Sequence, residues 1–105
     1  MAVHAHEKNM RKEDGGLLIG PAHGATKGFC VGVAIYDKEE YNPPGIHKDQ
    51  EGFYCVEGRG MARVGGEEFE ISPGSAFIAQ AGVPHSVKKH PGDKPVKLVW
   101  CHGAV

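Results

Sequence analysis

Apolar residues occur along this chain in short bursts, and glycine or proline interrupts nearly every one of them. FCVGVAIYD (29–37) is rich in β-branched and aromatic residues and predicts a strand. Its Phe29, Val31, Val33 and Ile35 form one face, because strand side chains alternate with period two. Downstream the rhythm is regular. GFYCV (52–56) predicts a strand, EGRG a turn and MARV (61–64) the next strand, after which Gly65 and Gly66 form a two-residue hairpin signal. EEFEI (67–71) alternates cleanly, with Phe69 and Ile71 expected inward and Glu68 and Glu70 outward. AFIAQ (76–80), HSVKK (85–89) and VKLVWC (96–101) predict three more strands, with AGVP and HPGDKP as the intervening turns. LLIG (17–20) reads as a further short strand. About nine strands and no helical periodicity predict an all-β domain, either a sandwich or a closed barrel.

Composition sharpens that picture in two places. Glycine accounts for 16 of 105 residues, well above the usual frequency of about 7%, with no collagen-like period, which fits many tight turns. The length allows one domain with a modest core. Formal charge is -1 with both signs interspersed, so no basic footprint points to nucleic acid. No apolar run approaches the roughly 18 residues of a membrane span, and residues 1–16 lack the apolar stretch of a secretory signal. A cytoplasmic protein is expected. Cys30, Cys55 and Cys101 are odd in number, far apart and without a CxxC pair, so neither a disulfide framework nor a zinc ribbon is implied.

One segment resists a purely structural reading. In GIHKDQEGFYCVEGRG (45–60), His47, Asp49 and Glu51 occupy every second position, and Pro43 and Pro44 hold the chain extended just before them. An outward row would be solvated and mean little. An inward row would be a costly burial that a metal or ligand must offset.

From residue 44 to 85 the chain resembles the cupins, small jelly-roll barrels whose two sequence motifs flank a metal site. The first motif has two histidines one residue apart, then a glutamate and, after six intervening residues, a glycine. His47, Glu51 and Gly58 fit it, Tyr54, Cys55 and Val56 lie in the strand that follows, and Gly45 stands where the first histidine belongs. The second motif is matched by Gly74, Gly82 and His85, with Gln80 in place of a proline and Lys89 in place of an asparagine. The resemblance covers residues 28–102. It implies a double-stranded β-helix (jelly-roll) barrel over 28–105, with residues 1–27 as an N-terminal arm carrying a candidate edge strand.

The same resemblance implies that His47, Glu51 and His85 converge inside the barrel. Two imidazoles and one carboxylate suit non-haem iron(II) and would also accept zinc, nickel or manganese, with coordination positions left open. Asp49 has the parity to join them but is expected to be a solvated loop carboxylate, and Gln50 would replace Glu51 only if the strand slipped by one residue. Tyr54, Cys55 and His102 are the candidates for chemistry beyond metal binding, Tyr54 as an acid or hydrogen-bond donor and Cys55 as a thiol. Tyr36 is a further candidate. His102 shares a face with Leu98 and Trp100 and is expected to be a hydrogen-bonded histidine near the barrel end. His4 and His6 belong to the arm, and His23 and His90 to exposed loops.

Two functional classes follow. One is a metal-dependent dioxygenase, isomerase or lyase acting on a small polar metabolite. The other is a non-catalytic barrel that binds a small molecule. In either case the apolar content of VKLVWC and LLIG suits contact with a second copy, and a homodimer is expected.

Overall fold

The computed structural model describes residues 2–103, so the last two positions of the expected barrel span lie outside the described residues. Its eight strands are β1 Leu17–Ile19, β2 Cys30–Tyr36, β3 Gln50–Glu57, β4 Gly60–Val64, β5 Glu67–Ile71, β6 Ala76–Ala79, β7 His85–Lys89 and β8 Val96–Gly103. Each predicted strand is present to within two residues at its ends. Three short 3-10 turns, Glu7–Asn9, Lys12–Asp14 and Pro21–His23, lie in the N-terminal segment. No helix among the described residues is long and apolar enough to cross a membrane.

The strands form two antiparallel sheets, ordered β1-β2-β8-β3-β6 and β5-β4-β7. Sequence neighbours are often not spatial neighbours: β8 lies between β2 and β3, and β7 lies beside β4. This interleaving is the jelly-roll pattern. No ladder between described strands closes the two sheets into a continuous barrel. They are joined by loop contacts, among them an isolated antiparallel bridge between Gly45 and His85.

The core fills the space between the sheets. Phe53, Cys55, Ala79, Val96 and Leu98 enter it from the larger sheet, and Ala62, Ile71 and Val87 from the smaller. Phe69, Phe77 and Trp100 pack around them. Phe53 and Phe77 are cross-strand partners with rings stacked at 4.6 Å, an arrangement worth about 0.5–1.5 kcal/mol beyond area burial. The alternation in β5 runs as predicted, with Phe69 and Ile71 covered and both glutamates exposed. In β2 the outcome is less intuitive. Cys30, Gly32, Ala34 and Tyr36 pair with His102, Trp100, Leu98 and Val96 on the inner face. The apolar row Phe29, Val31, Val33 and Ile35 therefore lies on the opposite face, where Ile35 is 62% exposed although Val33 is buried. Period two groups these residues, but only the pairing with β8 says which group faces in.

Gly58, the motif glycine after β3, has φ +82°. A Cβ there would run into the carbonyl of Pro95, so this turn needs glycine both for its left-handed backbone and for the close approach of the loop before β8. The face assignment can be checked by truncation. Leu98→Ala, at a fully buried inner position, should cost about 2–5 kcal/mol in urea unfolding. Ile35→Ala should change stability by no more than about 0.5 kcal/mol. A larger loss from Ile35→Ala than from Leu98→Ala would mean that the faces of the larger sheet are reversed.

Candidate metal centre

Three segments deliver the polar cluster, and each is held by backbone hydrogen bonds. Glu51 lies near the start of β3, opposite Ala79 of β6 and His102 of β8. His85 opens β7 directly after Pro84. His47 belongs to no strand, yet its segment is fastened to the chain around β7. Asn42 Oδ1 accepts from Val87 N at 2.7 Å. Gly45 and His85 exchange both backbone hydrogen bonds, at 2.9 and 3.0 Å, and His47 O accepts from Gly82 N at 2.8 Å. The extended Pro43–Pro44 entry keeps this run in step with β7.

The result is a convergence on one atom. His47 Nε2 lies 3.2 Å and His85 Nε2 3.3 Å from Glu51 Oε1. The side chain of Glu51 is only 8% exposed, and its Oε1 is buried without a hydrogen-bond partner. One possible ligand atom from each of His47, Glu51 and His85 lies within 4.8 Å of the others. The His47 and His85 ring centroids are 5.2 Å apart. Phe53 forms a wall beside His85, with centroids 5.4 Å apart. Burying a carboxylate without compensation costs several kcal/mol. The Glu51 carboxylate beside it raises the pKa of His85, against the opposing effect of burial.

His102 also reaches the cluster. Its Nε2 lies 3.4 Å from Glu51 Oε1 and its Nδ1 2.9 Å from Asp49 Oδ1. The hydrogen bond with His102 is the main reason the Asp49 carboxyl is held below its ordinary range. The expectation of a solvated loop carboxylate at 49 is thereby corrected: the chain bends at 48–49, and the bend lets Asp49 face His102. The register of β3 sets Glu51, not Gln50, opposite His102.

Two other candidates stand apart. Tyr54 has the opposite parity from Glu51 and lies half exposed on the outer face. Cys55 shares the parity of Glu51 but sits deeper in the core with no exposure, its Sγ facing Glu57 O and Gly58 O at 3.4 and 3.6 Å. Burial pushes its thiol pKa up, the direction that disfavours the thiolate a nucleophile needs. Cys30, which no motif singles out, is the cysteine paired with His102, and burial raises its pKa too. Tyr36 points inward from β2, and its phenol is pushed up to about 12, first by burial and then by the charge of Glu51. His23 and His90 are half-buried rather than exposed, His23 accepting from Gly20 N and His90 facing Glu70.

The residues fit a divalent metal. Glu51 Oε1 is an orphaned buried acceptor, and imidazole nitrogens with carboxylate oxygen form a donor set for transition ions.

Known proteins place this geometry in a family. The sequence model of the cupin domain matches residues 32–102. No curated protein matches the chain. Among solved structures, the cupin domain of Cnp3 from Schizosaccharomyces pombe is similar, with TM-score 0.72 and 20% identity, over 85% of this chain and 59% of that one. The protein TT1209 from Thermus thermophilus is similar over the full length of both chains, with TM-score 0.69 and 21% identity. The iron(II) form of HppE in complex with its substrate is similar with TM-score 0.68 and 17% identity, over 82% of this chain and 51% of that one. The chain thus spans only part of the Cnp3 and HppE chains. At these identities the likeness is one of fold.

The contact between Asp49 and His102 makes a direct prediction for the metal-free protein. Asp49 accepts only, so on the alkaline side of imidazole titration the proton of His102 should reside on Nδ1. Ring 15N NMR should show that tautomer in the wild type and a mixture in Asp49→Ala. The same tautomer in both would mean that Asp49 does not orient the ring.

Proposed function

The chain belongs to the cupin family, and from that premise we propose that it holds a divalent transition metal on His47, Glu51 and His85 and uses it on a small polar metabolite. One atom carries the reading: Glu51 Oε1, buried, unpartnered and faced by imidazole nitrogens within 3.4 Å. A bound ion would supply Lewis acidity and, if iron, redox chemistry. The ligand set suits iron(II) and also accepts zinc, nickel or manganese.

The protein's own groups support a reaction of the dioxygenase, isomerase or lyase type. Glu51 supplies negative charge that would hold the ion. Phe53 walls the His85 side, and Trp100 packs edge-on to His102 with centroids 5.4 Å apart. His47, 42% exposed in its side chain, stands at the open side, where a compact polar molecule would enter. Tyr36 would keep its proton through the neutral range. A second reading, a non-catalytic barrel that binds a small molecule, is favoured by one observation. Tyr54 and Cys55, two of the four reactive groups expected at the site, lie away from it.

The wider setting is proposed on separate grounds. Three free thiols support a cytoplasmic location. Tyr54, Val56, Ile78 and Ile35 leave apolar surface on the outside of the larger sheet, a face that would pair with a second copy. Sedimentation at micromolar concentration should give a dimer that Tyr54→Lys with Ile78→Lys converts to a monomer. A monomeric wild type would remove this proposal.

Elemental analysis tests the metal. Wild-type protein as purified should carry a stoichiometric transition metal, and a His47→Ala, His85→Ala variant should lose it. Metal at about a hundred times its dissociation constant should stabilise the wild type by about 2.7 kcal/mol and leave the variant unchanged. Equal metal content in the two proteins would sink the assignment. Turnover on a panel of sugars, organic acids and dicarbonyls would favour the enzyme, and binding without turnover the second reading.

A further inference from the structure

We propose that His102 is a fourth metal ligand, supplied from β8 in place of the side chain that position 45 lacks, and that Asp49 is the residue that positions it. The inference rests on the metal site proposed above and specifies its composition and its open side.

His102 reaches Glu51 as closely as the other two histidines do, although the group whose ligand atoms all lie within 4.8 Å of one another is His47, Glu51 and His85. The three Nε2 atoms lie 3.2, 3.3 and 3.4 Å from the same oxygen, Glu51 Oε1. The rings of His47 and His102 meet edge to face at 4.9 Å. The side chain of His102 is 15% exposed, against 42% for His47, so it is the more firmly enclosed of the two. Its far nitrogen is committed: Nδ1 faces Asp49 Oδ1 at 2.9 Å. A carboxylate can only accept, so in the neutral ring Nδ1 carries the proton and Nε2 turns a bare lone pair toward Glu51. A carboxylate behind an imidazole that faces a metal site is the usual outer-shell arrangement, which fixes tautomer and ring angle. One competing state meets the same distances without an ion, namely an imidazolium donating to Asp49 and Glu51 at once.

Position 45 gives the complementary observation. A Cβ built there would lie 3.1 Å from His85 Nε2 and 3.6 Å from His47 Nε2, so a side chain at 45 would enter the cluster. The backbone cannot swing it away, because Gly45 is bonded to His85 through both its N–H and its carbonyl. The chain is thus bare on the Gly45 side and has a donor on the β8 side. The ligand has changed strand, and the side left for substrate is the one beside Gly45.

Cobalt(II) and copper(II) are the probes, applied to the full chain. Competition against a chelator should show Co(II) binding weakened about 100-fold in His102→Gly and largely restored by added imidazole, which refills the vacated position. Asp49→Asn should weaken binding by about 10–100-fold. Electron paramagnetic resonance of the Cu(II) form should lose one nitrogen coupling in His102→Gly and regain it with imidazole. If the glycine variant does not fold, His102→Gln, which keeps most of the volume, should show the same loss of a nitrogen. Co(II) affinity and nitrogen couplings unchanged in the His102 variants, while His85→Ala abolishes binding, would overturn the fourth ligand and leave the three-ligand site standing. Absence of Co(II) binding by the wild type would remove the metal site itself, and the imidazolium bridge would then account for His102.

Discussion

The arrangement around Glu51 Oε1 is the constraint to which the site end of the fold is fitted. A buried carboxylate oxygen is faced by three imidazole nitrogens, each within 3.4 Å of it. With neutral rings protonated at Nδ1, each imidazole presents a lone pair to the carboxylate oxygen, which is repulsive at these distances. Protonating an imidazole relieves part of the repulsion, and a cation relieves all of it.

Holding such a cluster requires strands that do not follow one another in sequence. The ladder between β3 and β8 sets Glu51 against His102. The Gly45–His85 bridge ties the entry to β3 onto β7, and the Gly82–His47 hydrogen bond reinforces it. Aromatic rings separate the cluster from the core, Phe53 beneath His85 and Trp100 beneath His102. The apolar layer below, with Leu98, Val96 and Cys55 fully buried, supplies the stability that offsets so polar an end. Phe53 and Cys55 share the parity of Glu51, and Leu98 and Trp100 that of His102, so one ladder sets both packing and site geometry.

How far the site is legible in the residues alone differs from one member to the next. Motif spacing finds His47, Glu51 and His85, because a family's ligand spacing is a local property of the chain. It misplaces Asp49, because the motif treats position 49 as a spacer, whereas the partner that holds its carboxylate, His102, lies on a strand far along the chain. Parity with Leu98 and Trp100 marks His102, but its approach to Glu51 depends on a pairing between strands far apart in sequence. Tyr54 and Cys55 are candidates only through nearness to Glu51 along the chain. In a strand, adjacent residues face opposite ways, and residues of like parity lie at different depths.

What the sequence determined by itself was the series of turns, the strands between them and the grouping of residues into alternating sets. Those are local matters of glycine, proline and side-chain period. The tertiary structure decided which set faces inward, as the apolar row of β2 illustrates, and which distant residues share the end of the core. Both depend on which strands lie side by side, and that is settled only when the two sheets pack. The polar row at 47, 49 and 51 is the clearest instance: its spacing raised the question of a buried site, and β7 and β8 supplied the partners that answer it.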